Sequence, residues 1–121
     1  MIEVLTGFPD GVVAMSAKGR VSKGDYDAML IPKLNEALQK PGKVRFYYEF
    51  GPAFSEMEAA AMWEDFKFGV EHLTRWERIA VVTDVDWIRM AMNAFRFILP
   101  RTIRIFGTRE ATDARRWIAA D

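Results

Sequence analysis

Cysteine is absent from the 121-residue chain, and histidine occurs once, as His72. The first absence removes disulfides, thiolate metal sites and a cysteine nucleophile. The second removes any poly-histidine metal centre built within one chain. Neither sign of charge dominates: 17 basic and 17 acidic side chains give a formal net charge of zero, so the basic footprint of a nucleic-acid binder is missing. No run approaches the ~20 consecutive apolar residues that a membrane-spanning helix needs. The opening MIEVLTGFPDG carries Glu3 where a signal peptide would have to continue apolar. A cytoplasmic location is therefore the expectation. Enzyme signatures fail as well, since a P-loop, a dinucleotide G-x-G-x-x-G and a G-x-S-x-G elbow are all lacking. The residues point away from catalysis, and they name no cofactor and no metal.

What is present is an alternation of strand and helix patterns. Residues 2–6 and 12–17 read as strands, joined by Gly7-Phe8-Pro9-Asp10-Gly11 in a connection tight enough to make them antiparallel. Ser22 offers a helix N-cap, with Asp25 placed for the helix dipole. Tyr26, Met29, Leu30, Leu34, Ala37 and Leu38 then form one apolar stripe, interrupted by Pro32, where a kink is expected. Residues 43–50 (KVRFYYEF) read as a strand that Gly51-Pro52 should break. Ser55 and Glu58 fit a capping box for a helix over 57–73.

Residues 78–83 (RIAVVT) form a nearly continuous apolar run, the mark of a strand covered on both faces. Asp84 is placed to cap a helix over 85–99, which Pro100 follows. TIRIF at 102–106 alternates like an edge strand. Thr108 is placed to cap a last helix through Ala114, Trp117 and Ile118. The order β-β-α-β-α-β-α-β-α predicts an α/β fold in one domain spanning 1–121. Its five-stranded sheet should be mostly parallel, with an N-terminal antiparallel hairpin and four main helices.

Two helices carry more apolar surface than one sheet face requires. In the helix over 57–73, Met57, Ala60, Ala61 and Phe68 suffice for packing, yet Met62, Trp63, Phe66 and Val70 form a second row. In the helix over 85–99, Ile88, Ala91, Phe95 and Ile98 make one row, with Trp87, Met90, Ala94 and Phe97 beside it. Such helices must cover another helix, a second subunit or an apolar ligand. Seven methionines and 13% aromatic residues supply adaptable material for that surface. Asp65, Lys67, Arg89 and Arg96 are read as marking the solvated sides, with His72, Asp65 and Lys67 as candidates for a polar rim. His72 reads either as a general base or as a helix-end side chain bonded to a carbonyl. Ser55 reads either as a cap or as a phosphate-accepting position, although Glu56 and Glu58 would repel a phosphate.

The stretch from Trp63 to Gly69, then His72, then Trp76-Glu77-Arg78-Ile79-Ala80-Val81-Val82-Thr83-Asp84 and Trp87, resembles the central signature of the SpoIIAA-like proteins. These are small bacterial relatives of the STAS domain. Phe106, Ala114 and Trp117-Ile118 resemble the family's last strand and terminal helix, and Pro32 in the first helix also fits. The resemblance implies the α/β order derived above, kinship with lipid-binding CRAL-TRIO (Sec14) folds, and no established catalysis. In related anti-sigma-factor antagonists a serine at a helix start is phosphorylated. Ser55 lies in that neighbourhood, but Phe54-Ser55-Glu56-Met57 departs from the Asp-Ser-(Ser)-Gly setting.

The functional expectation is a non-enzymatic binding or regulatory module. Its two apolar helices would hold a small apolar or lipid-like ligand against Trp63, Phe66, His72, Trp87, Met90 and Phe97. The alternative is a protein-interaction module, either a homodimer or a phospho-regulated antagonist modified at Ser55.

Overall fold

In the computed structural model, which describes residues 1–121, five strands lie side by side in sequence order. They are β1 (Ile2–Val4), β2 (Val12–Val21), β3 (Val44–Met57), β4 (Trp76–Thr83) and β5 (Ile103–Phe106). β1 pairs antiparallel with β2, and every later pair is parallel. The expected hairpin and mostly parallel sheet are both present. In the β1–β2 connection Gly11 has φ +90°, a conformation that L side chains rarely adopt. β4 is the most deeply covered strand, with Ile79 to Thr83 buried on alternating faces, and β5 forms an edge. The apolar run and the alternating segment had separated these two positions.

Sequential strand order has a consequence for the helices. Right-handed crossovers between neighbouring parallel strands all fall on one face of the sheet. On that face lie a helical run made of α1 (Lys23–Asp25), a π-helical turn (Tyr26–Leu30) and α2 (Ile31–Leu38), then α3 (Ala59–Glu71) and α4 (Asp86–Ile98). Their buried side chains join Phe46, Tyr48, Phe50, Ile79 and Val81 in the larger core. α5 (Ala111–Ala119) follows the last strand and folds back over the opposite face, where Ala114 and Ile118 meet Ala14, Tyr47, Ala80, Val82 and Phe106. Pro32 sits at the start of α2, directly after the π turn. The helix thus absorbs the missing proline N–H by widening one turn.

Three local expectations are corrected. β3 does not break at Gly51-Pro52 but continues to Met57, pairing Gly19 with Phe54, Arg20 with Glu56 and Val21 with Met57 after register shifts around Gly19. The irregularity takes up extra β3 residues, so Pro52 sits where the ladder is interrupted and lacks no required bond. Ten-residue β2 needs a partner along its whole length, and Arg20 fastens the extension through ion pairs to Glu56 and Glu58, each at 3.0 Å. Ser55 consequently lies exposed in a strand and caps nothing. α3 starts at Ala59 after Glu58, whose carboxylate instead accepts from the Lys23 backbone N–H at 2.9 Å.

Asp84 and Thr108 likewise cap no helix of their own. Val85 precedes α4, and its N–H donates to Thr83 Oγ1 at 3.0 Å. Asp84 accepts from the Thr108 N–H at 3.0 Å and from the Thr108 hydroxyl, tying the end of β4 to the turn before α5. These bonds hold the Asp84 carboxyl below its usual range. Ser22 does cap its helix as expected, and Asp25 goes further by accepting from the Ser22 N–H, which completes a capping box.

Candidate functional site

The two rows of apolar residues on α3 and α4 separate in space. On α3 only Ala61 and Phe68 are buried, and on α4 only Ile88. Trp63 is 62% exposed, Met90 73% and Phe97 88%. α3 rests on α1 and the π turn more than on the sheet, so the space beneath it is incompletely filled. Where the helices meet, they do so through long side chains. The Phe66 and Phe95 rings meet edge to face at 6.2 Å, and Trp63 stacks on Phe66 at 6.0 Å. Gly69 lets the Phe95 ring approach α3, since a Cβ there would lie 3.1 Å from Phe95 Cζ.

Under this roof lies a cavity of about 340 Å³ bounded by α2, α3, α4 and the sheet. That size lies at the lower end of small-molecule sites. Eighteen of its 20 lining residues are hydrophobic, including Leu34, Phe46, Tyr48 and Val81 at the floor and Phe66, Trp87, Ala91 and Ile98 on the helices. Trp76 also lines it. Its indole N–H donates to the Gly69 carbonyl at 3.1 Å, which pins the end of α3 over β4.

Of the expected binding residues, Phe66 and Trp87 line the cavity, whereas Trp63, His72, Met90 and Phe97 do not. Met90 and Phe97 face outward on α4, and Trp63 stands on the outer side of Phe66. His72 is the C-cap of α3 and half-buried. Its Nδ1 lies 2.9 Å from the Phe68 carbonyl, and its ring packs 4.3 Å from the Phe68 ring. No carboxylate bonds to it, and Glu49 accepts from the Tyr47 hydroxyl at 2.6 Å. No three His, Cys, Asp or Glu side chains converge to hold a metal ion.

Asp65, read both as a residue of the solvated side and as a candidate for a polar rim, is the one of the three rim candidates that lines the cavity. Lys67 is exposed as expected, but Asp65 lines the cavity and is its only charged group. The signal was available: 61, 65 and 68 are spaced i, i+4, i+7, so Asp65 shares the stripe of buried Ala61 and Phe68. Burial pushes its carboxyl up to about 6, and the nearby Tyr26 hydroxyl pulls it partly back. Tyr26 in turn shares a 3.0 Å hydrogen bond with Tyr48, and both phenols are buried. Burial, together with the Asp65 charge, raises both tyrosines above their ordinary range. The site thus combines an apolar chamber with one carboxyl and the Tyr48 phenol at its wall, and Tyr26 behind them. Arg89, also read as solvated, reaches back to donate to the Thr83 carbonyl at 2.8 Å.

The sequence model of the SpoIIAA-like family matches residues 12–119, nearly the whole chain. The chain belongs to the SpoIIAA-like family. Its fold also resembles the crystal structure of an uncharacterized protein of the DUF3478 family with a SpoIIAA-like fold, from Shewanella loihica PV-4. The TM-score is 0.74 at 22% identity, over 98% of this chain and 92% of that one. At that identity the likeness concerns the fold alone. A search of curated proteins finds no match. The SpoIIAA-like assignment suggests a regulatory or interaction module of a generally non-enzymatic family, without specifying a ligand or partner. No helix is long and apolar enough to cross a membrane.

Proposed function

We propose that this SpoIIAA-like protein is a non-enzymatic binding module that takes up a small apolar ligand between α3, α4 and the sheet. The observation that carries the reading is the cavity of about 340 Å³ lined almost wholly by hydrophobic side chains. The cavity opens to solvent between the helices, so a ligand that covered its apolar lining would gain the burial of that surface. By the volume that one liquid water occupies, the cavity would hold on the order of ten non-hydrogen atoms. Phe66 and Trp87, both partly exposed, border it and would contact an entering ligand. Native mass spectrometry of protein purified from cells, with solvent extraction, should reveal an apolar adduct. Calorimetry with octan-1-ol should show saturable binding, and the absence of both an adduct and octanol binding would defeat the reading.

A second reading rests on a separate observation. Trp63, Met90 and Phe97 point away from the cavity and are largely exposed, which favours a protein-interaction surface, with a homodimer as the simplest partner. Light scattering should then show a mass that rises with concentration, lost in Phe97→Asp. A monomer at every concentration would exclude the homodimer. Ser55, exposed in β3 beside Glu56, has no helix N-terminus to receive a phosphate, which weighs against the phospho-regulated form of this reading.

A further inference from the structure

We propose that the ligand of this cavity is a small apolar amine, whose protonated head group pairs with Asp65 while its hydrocarbon part fills the chamber. The inference rests on the cavity reading above and adds the chemical class of the occupant. Three observations carry it.

First, Asp65 is the sole charged group among the 20 residues that line the chamber. A carboxyl group bordering so apolar a space is unfavourable unless something answers it. Second, no cation in the chain does. Asp65 takes part in none of the ion pairs, and no lysine or arginine acts on it; the only side chain that stabilises its charge is the Tyr26 hydroxyl. Third, the other groups around it offer no cation. Tyr26 and Tyr48 bond to each other at 3.0 Å, and Asp25, which acts on Tyr48 from the end of α1, is itself acidic. The raised carboxyl agrees with this geometry, as expected for a half-buried acid in an apolar wall that lacks a counter-ion.

A protonated amine supplies the missing donor and charge, and a charge-assisted hydrogen bond in a water-poor site is stronger than a neutral one. A fatty acid would bring a second carboxylate against the first, and the two charges would repel. An alcohol of equal length would gain the apolar burial but only a neutral hydrogen bond. The predicted ranking is therefore amine above alcohol above carboxylate. Phe66 and Trp87 at the helix edges fit the same occupant, because aromatic faces attract a cation in passage.

The test is isothermal titration calorimetry at pH 7.5 with octylamine, octan-1-ol and octanoate on the full chain. Octylamine should bind at least about tenfold tighter than octanoate, with octanol between. In Asp65→Asn the amine should lose its advantage over the alcohol, while octanol binding stays within about twofold. On the unaltered protein, the Asp65 side-chain carbon should titrate at lower pH once octylamine is added, a readout that needs no variant. Octanoate binding as tightly as octylamine, an amine preference that survives Asp65→Asn, or an unmoved Asp65 titration would each overturn the amine assignment while leaving the cavity reading intact. Failure of all three probes to bind would remove both.

Discussion

The two faces of the sheet are packed to different standards. On one face α5 is the single helix over the strands, joined by Phe8 against Tyr47, and the packing is close: Ala114 and Ile118 are fully buried against Tyr47, Val82 and Phe106. Arg78 and Arg104 lie over the Trp117 ring at 5.5 and 5.3 Å, and Arg78 also donates to the Trp117 and Ala120 carbonyls that end the helix. On the other face three helical segments cover a larger core, yet α3 and α4 bury only three side chains between them and leave a cavity under their junction. Filled layers maximise dispersion contacts, so a layer left open gives up stability. A fold that closes one face and leaves the other open directs attention to the open face as the place for function.

The largest expected effect lies on the closed face. Ile118→Ala should lower unfolding free energy by about 3 kcal/mol, whereas Phe97→Ala on the open face should change it by less than about 0.5 kcal/mol. Urea denaturation of both variants measures the contrast, and equal losses would mean that the faces are not packed differently. Next in size is the carboxyl at the cavity wall. Folding raises Asp65 from 3.8 to about 6, so between those values the native state holds a proton that the unfolded chain has released. Stability therefore falls as pH rises through that window and stays lower above it. Asp65→Asn should gain on the order of 1–3 kcal/mol at pH 7.5, with the gain fading below about pH 4. A gain that persists unchanged at pH 3 would contradict this origin.

Ala91→Trp sharpens the comparison from the ligand side. Ala91 lines the chamber and is partly open to solvent, so a larger side chain can occupy the space with a stability change of about 1 kcal/mol. Octanol affinity should nevertheless fall by roughly tenfold or more. Unchanged octanol binding would place the probe elsewhere. The smallest effect concerns Ser55. A true N-cap serine replaced by alanine costs about 1 kcal/mol, but Ser55→Ala in an exposed strand position should cost less than about 0.5 kcal/mol. A full kilocalorie in thermal or urea unfolding would restore the capping role.

Much of the fold could be read from local pattern. Pro and Gly marked the β1–β2 turn, the RIAVVT run marked a strand covered on both sides, and Ser22 capped the first helix. The errors share a cause. Ser55-x-x-Glu58, Asp84 and Thr108 each had a plausible local partner, and each was claimed by a distant one instead. Glu56 and Glu58 answer Arg20 on β2, and Asp84 answers Thr108 across the sheet edge. Local hydrogen-bonding motifs are worth about a kilocalorie, so a long-range partner can displace them without leaving a trace in the sequence. The site was legible in the same partial way. The double apolar rows lie on the two helices that roof the cavity, and of their residues Phe66 and Trp87 line it while Trp63, Met90 and Phe97 belong to the outer surface.

The absences that limited function at the outset keep their force as constraints on chemistry. Without cysteine and with one histidine, the chemistry at the cavity wall falls to Asp65 and Tyr48, the latter bonded to Tyr26 behind it. The sequence by itself determined the order of elements, the family and the excess of apolar surface on two helices, because periodicity and composition are properties of the chain. Only the tertiary structure decided which part of that surface is cavity and which is exterior. It alone also placed a carboxyl read as solvated in an apolar wall, because a helix stripe becomes core, cavity or surface according to what lies opposite it.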